Sequence, residues 1–148
     1  MSKKTLVAIE LDNFSANVVL SRVAAVRQED DTVDVVHVVD PSGITYTADP
    51  TMTGKMYKQS YENALEKARI RLEELCKPHG ITPENCHIRY GRISREIHEL
   101  LYEKKYDELV IGSHGWSGWQ RVLGSKAASI IHGATVDTWV LKIGVKPS

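Results

Sequence analysis

Five short apolar runs alternate with four segments of helical period, and this alternation constrains the fold more than any other feature of the chain. Residues 5–11, 32–39 and 108–111 are rich in β-branched side chains, and residues 86–90 and 138–141 are weaker runs of the same kind. Runs that are apolar on both faces suit the strands of a parallel sheet buried between two layers. Between them, Val19, Val23 and Val26 mark one face of a first helix. Tyr57, Tyr61, Ala64, Leu65, Ala68, Leu72 and Leu75 form a long stripe on a second. Ile93, Ile97, Leu100 and Leu101 mark a third, and Leu123, Ala127, Ile130, Ile131 and Ala134 a fourth. Steps of three and four let a helix bury one side. The order βαβαβαβαβ predicts an α/β fold: a doubly wound five-stranded parallel sheet, helices on both faces, joined by right-handed crossovers.

The chain has 148 residues and reads as one domain spanning 1–148, with no linker, low-complexity tract or internal repeat. Residues 41–54 are the one irregular segment. They carry Pro41, Gly43, Pro50 and Gly54 and exceed an ordinary βα loop, so they read as a functional lid or a partly disordered connection. Lys plus Arg total 19 and Asp plus Glu total 19. That balance argues against a nucleic-acid binder or a protein of anionic membrane surfaces, both of which show a basic excess. No stretch approaches the ~20 apolar residues of a membrane span. Two cysteines, Cys76 and Cys86, sit ten apart across an expected helix-to-strand turn. A secreted scaffold would be cysteine-dense, so a reducing cytoplasm is the expected compartment. The apolar run after Lys4 is too short for a signal peptide and lacks a small-residue cleavage site.

In open α/β sheets, ligands bind beyond the carboxyl ends of the strands, where the strand order reverses. The positions to inspect follow each strand: Glu10 to Asn13, Val38 to Asp40, and Gly112 to Gly115. The last group opens the richest stretch, which runs to Gly124-Ser125 and holds Gly112, Gly115, Gly118 and Gly124 among the ten glycines of the chain. Glycine lets a backbone approach an anion closely, and a helix starting at Gly124-Ser125 offers free N–H groups. Arg121 and Lys126 flank that start. By spacing alone the stretch is either a phosphate cradle or a flexible connection whose glycines permit turns.

Ile111-Gly112-Ser113-His114-Gly115, followed by Gly124-Ser125 and a last strand, resembles the universal stress protein family. So do Val36-His37-Val38-Val39-Asp40 and Tyr106-Asp107-Glu108-Leu109-Val110, and the resemblance covers essentially the whole chain. It implies a Rossmann-like, adenine nucleotide alpha hydrolase-like fold and a regulatory binding module of the stress response. ATP-binding members of the family use a Gly-x2-Gly-x9-Gly-Ser/Thr pattern for ribose and phosphates. Gly112 and Gly115 match its first two positions, and Gly124 and Ser125 its last two. The family holds adenosine with an acidic residue at the end of the first strand and with backbone groups near the end of the second. Those positions correspond to Glu10, with Ala8 before it, and to Val38, while Ile111 and Lys126 sit beside the glycines. The implied ligand is ATP or AMP, with Mg²⁺ accompanying ATP. The implied assembly is a homodimer through the last strand, with Trp139 as an interface anchor or an ordinary core residue.

The chain departs from the pattern at two points. Gly115 and Gly124 are separated by eight residues rather than nine, and Glu10 stands where the family usually has Asp. One residue removed from a helix turns its side chains by ~100°, whereas a loop absorbs the change. A branch of the family similar to the founding UspA proteins lacks the glycines and acts as a dimer through protein contacts. Val136-Asp137 before the last strand resembles that branch, whereas Gly112, Gly115, Gly124 and Ser125 resemble the nucleotide-binding one.

The remaining residues point to no other chemistry. His37, His79, His87, His98, His114 and His132 show neither an i,i+4 pair nor Cys/His ligand spacing, so no metal site is expected. No Gly-x-Ser-x-Gly elbow is present. A slow nucleotide hydrolase would have only His114, Glu10 and Asp12 to position water, and Asp12 also reads as the N-cap of the first helix. The expectation is therefore a binding module rather than an enzyme. Trp116 and Trp119 in the glycine loop either stack on a base, meet a protein partner or pack against the 41–54 segment.

Overall fold

A computed structural model describes residues 2–41, 53–113 and 124–144, with residues 124–126 described as backbone. The elements run β1 (Lys4–Ala8), α1 (Asn13–Val26), β2 (Thr32–Val39), α2 (Gly54–Cys76), β3 (Cys86–Tyr90), α3 (Ile93–Lys104), β4 (Glu108–Ser113), α4 (Gly124–Gly133) and β5 (Asp137–Lys142). Two single-turn 3₁₀ segments, Lys77–His79 and Pro83–Asn85, join α2 to β3. The sheet has the order β3-β2-β1-β4-β5 and every pairing is parallel. The chain therefore winds outwards in one direction from β1 to β3 and in the other from β4 to β5. The reversal lies between β1 and β4, where Val7 pairs with Val110 and Ala8 with Ile111.

Each face of the sheet carries its own core. Val7, Val35 and Val110 pack with Val19, Leu20 and Val23 of α1 and with Leu72, Leu75 and Cys76 of α2. On the other face Leu6, Val36, Leu109 and Ile111 pack with Ile97, Leu100 and Leu101 of α3 and Ile130 of α4. Successive residues of β1 and β2 thus enter opposite cores, as the period of two demands. The expected α/β architecture and its five strands are observed. β1 stops at Ala8 rather than residue 11. Ile9 N–H still donates to the Val36 carbonyl at 3.0 Å before the chain turns into α1.

Local chemistry fixes where the helices begin and end. The Asp12 carboxylate accepts the Ser15 N–H at 2.8 Å and also takes the Ser15 hydroxyl, which makes Asp12 the N-cap of α1. Thr53 caps α2 in the same way through the Met56 N–H at 3.2 Å. α3 ends on Lys105 in the left-handed region (φ 52°), whose N–H returns to the Leu101 carbonyl.

The long stripe on the second helix is only half used. Ala68, Leu72, Leu75 and Cys76 are buried, whereas Tyr57 and Tyr61 are 38% and 40% exposed. A helix of 23 residues is about 35 Å long, and the 8 residues of β2 cover about 26 Å, so the first turns of α2 overhang the sheet. Tyr61 instead meets the ring of Tyr90 edge-on, with centroids 4.5 Å apart. Val26, the last residue of α1, is likewise 52% exposed rather than part of the buried face. Of the 41–54 segment, residues 42–52 lie outside the described residues, as does Leu123.

Candidate functional site

The carboxyl ends of β1, β2 and β4 surround a cavity of about 110 Å³ at the reversal of strand order. Ala8 and Glu10 reach it from β1 and the turn after it, Val36 and Val38 from β2, and Ile111 and Gly112 from β4. Ala127 and Ile130 of α4 and Ile93 and Ile97 of α3 close the apolar side. The wall is almost wholly hydrophobic, with Glu10, Ser15 and His37 as its polar side chains. That is the composition of a small-molecule site: an apolar body with a few polar groups to orient the guest.

Five of the nine expected site residues meet here: Ala8, Glu10, Val38, Ile111 and Gly112. Glu10 is exposed at the rim. Gly124, Ser125 and Lys126 form the first turn of α4, the helix that flanks the cavity through Ala127 and Ile130. A helix start beside a cavity supplies unpaired N–H groups and the positive end of the helix dipole. Gly115 lies outside the described residues, together with His114, Trp116, Trp119 and Arg121.

Gly112 has a packing reason to be glycine. A Cβ there would sit 2.5 Å from Ile143 Cδ1 and 3.1 Å from Val19 Cγ2. Ile143 follows β5, and its N–H donates to the Ser113 carbonyl at 2.9 Å, so the end of β5 folds tightly over the end of β4. The carboxylate of Asp12 is engaged as the α1 cap, which leaves Glu10 as the acidic side chain lining the cavity.

His37 and Ser15 are the polar wall residues that sequence reasoning did not select. The Nδ1 of His37 lies 2.8 Å from the Ile9 carbonyl oxygen. A carbonyl only accepts, so Nδ1 is the donor in this contact. His98, on α3, is a satisfied packing residue. Its Nε2 meets the Ile130 carbonyl at 2.8 Å, and the ring fills the space against Gly133 where a Cβ would stand.

A family model described as the universal stress protein family matches residues 1–142. The chain belongs to the universal stress protein family. Universal stress protein A homolog 1 of Coxiella burnetii is 32% identical over 145 residues, covering 97% of each chain. Among solved structures, that of hypothetical protein MJ0577 superposes with a TM-score of 0.72 at 23% identity, covering 99% of this chain and 98% of the other. A universal stress protein solved in complex with cAMP superposes with a TM-score of 0.59 at 18% identity, covering 95% and 97%. At these identities the structural likenesses speak for the shared fold, an α/β sheet of the universal stress protein type. Among the described residues no helix is long and apolar enough to cross a membrane.

Proposed function

We propose that this universal stress protein is a cytoplasmic, non-catalytic regulatory module that binds an adenine nucleotide, ATP or AMP, at the strand-order reversal. The observation that carries this reading is the convergence of Ala8, Glu10, Val38, Ile111 and Gly112 on one apolar cavity beside the start of α4. An adenine ring suits the hydrophobic wall, and Glu10 stands at the rim where a ribose hydroxyl would need an acceptor. Phosphates would lie at the start of α4, where the sequence supplies Arg121 and Lys126 as cations. These cations do not balance a triphosphate, so Mg²⁺ would travel with ATP and neutralise the remainder. The complex of another family member with cAMP supports an adenine nucleotide as the ligand class.

The same reading makes the protein a homodimer through β5. This strand lies at the edge of the sheet and exposes Trp139 (39%) and Val140 (37%), a surface that antiparallel pairing with a second copy would cover. The alternative is a dimer that works through protein contacts alone, with an unidentified partner and no nucleotide. It draws on the same exposed strand. Isothermal titration with ATP and Mg²⁺ separates the two. Saturable binding that weakens in Glu10→Ala supports the nucleotide reading, and a flat titration favours the alternative.

A further inference from the structure

The ladder between β1 and β2 stops short of the end of β2. The residues of β2 bond to its two neighbours alternately. Ile9 N–H donates to the Val36 carbonyl at 3.0 Å on the β1 side, and Gly91 N–H donates to the Val39 carbonyl at 3.0 Å on the β3 side. Val38 has the parity of Val36, so its N–H and C=O point towards β1. The register sets Ala8 opposite Val36, so the next rungs would run from Val38 N–H to the Ile9 carbonyl and from Leu11 N–H to the Val38 carbonyl. Among the described residues neither bond is made. β1 ends at Ala8, and the chain turns towards Asp12, the N-cap of α1. The Ile9 carbonyl accepts from His37 Nδ1 instead, at 2.8 Å.

A side chain thus takes the acceptor that a longer β1 would give to Val38. Val38 is 7% exposed and lines the cavity at the strand-order reversal, as do Ile9 and His37. Buried main-chain donors and acceptors require partners, and a guest in this cavity stands where the missing rungs would be. The bond from His37 also fixes the residue before Glu10, the acidic side chain at the rim.

We propose that His37 is a positioning residue of this site: by occupying the Ile9 carbonyl it keeps the Val38 N–H and C=O open to the ligand and so sets the choice of base. The inference rests on the adenine nucleotide proposed above. Adenine carries an acceptor, N1, beside a donor, the N6 amino group, and this edge complements a neighbouring N–H and C=O. Guanine carries the pair in reverse order, O6 accepting and N1–H donating, so it fits only when turned over, with its ribose displaced. Without the imidazole donor the Ile9 carbonyl is left to Val38 N–H. The ladder then gains a rung and the cavity loses its donor. His37 therefore acts on the ligand through the main chain of Ile9 and Val38.

The test compares the wild type with His37→Phe, which has no donor, and with His37→Asn, whose Nδ2 stands at the same place along the side chain as the imidazole Nδ1. Amide hydrogen exchange of the free proteins, followed by NMR, needs no nucleotide. In the wild type and in His37→Asn the Val38 amide is expected to exchange faster than that of Val36. In His37→Phe it should slow towards Val36. Titration with ATP and with GTP, both in Mg²⁺, reads the ligand. His37→Phe should bind ATP about tenfold more weakly and distinguish it less from GTP, and His37→Asn should restore both properties. Circular dichroism reports whether each variant is folded, and the wild-type exchange result stands without them. Equal protection of Val36 and Val38 in the wild type overturns the proposal. So does a folded His37→Phe that exchanges and binds as the wild type does, or an equal loss of ATP in both variants. A wild type that binds no ATP, although Val38 exchange responds to His37, overturns the adenine nucleotide and leaves the hold of His37 on Val38 in place.

Discussion

The Tyr106 hydroxyl donates to Asp34 Oδ2 at 2.6 Å, which ties the approach to β4 to the middle of the sheet across 72 positions of sequence. Asn85 Nδ2 donates to the other oxygen at 2.6 Å, and His87 Nε2 lies 3.1 Å from Oδ2. Asp34 is 5% exposed, and burial works to raise its pKa. The three hydrogen bonds outweigh burial and hold the carboxyl below its ordinary value of 3.8. Burial and the Asp34 contact push Tyr106 up in turn, so the phenol stays a donor.

A group whose folded pKa is depressed contributes stability that is present above its unfolded pKa and lost as pH falls through the folded one. The Asp34 network should therefore support the fold in full above about pH 4 and fail in stronger acid. Tyr106→Phe removes one donor from a buried carboxylate and is expected to cost about 1–3 kcal/mol. It should also move the acid-unfolding midpoint to higher pH. Urea and acid titrations followed by circular dichroism measure both, and an unchanged acid midpoint would contradict the assignment.

Gly112→Ala is expected to destabilise by about 1–3 kcal/mol, because its Cβ would meet Ile143 Cδ1. Ile143→Val deletes the obstructing methyl group. The double variant should then lose less stability than the two single changes combined, as chemical denaturation would reveal. Simple additivity would mean that Ile143 is not what constrains position 112.

Gly115→Val would place a branched side chain where the family pattern needs backbone close to phosphate. Binding of ATP should fall at least tenfold, a loss of about 1.4 kcal/mol, with the melting point of the free protein little changed. Unaltered affinity would remove the glycine loop from the site.

At the β5 edge, Trp139→Lys puts a charge on the exposed strand proposed to pair with a second copy. Sedimentation equilibrium should show wild-type dimers and variant monomers. A variant that sediments as the wild type does would move the interface elsewhere.

Much of this architecture is legible in the sequence because the two apolar periods, near two and near 3.6, alternate without interruption. Glu10, Val38 and Gly112 stand among the positions after strands that the ligand rule for open α/β sheets singles out, whereas Ala8 and Ile111 came from the resemblance to the universal stress protein family. What escaped reading depends on distances between elements. Periodicity reports which side of α2 is apolar but not how far the sheet extends beneath it, so Tyr57 and Tyr61 were expected inside and lie half-exposed. Strand alternation places His37 on the face opposite Val36 and Val38, and only at the strand ends do both faces meet around one cavity. Ile143 comes 31 positions after the glycine it packs against, and no local pattern links them.

The account rests on an adenine nucleotide at the strand-order reversal. Its most direct measurement is acid extraction of freshly purified protein with mass identification of whatever is released, alongside thermal unfolding in ATP and Mg²⁺. The account predicts recovered adenine nucleotide, or a stabilisation of about 2.7 kcal/mol at 100 times Kd. A clean extract together with an unmoved melting point would contradict it and shift the function to the dimer surface.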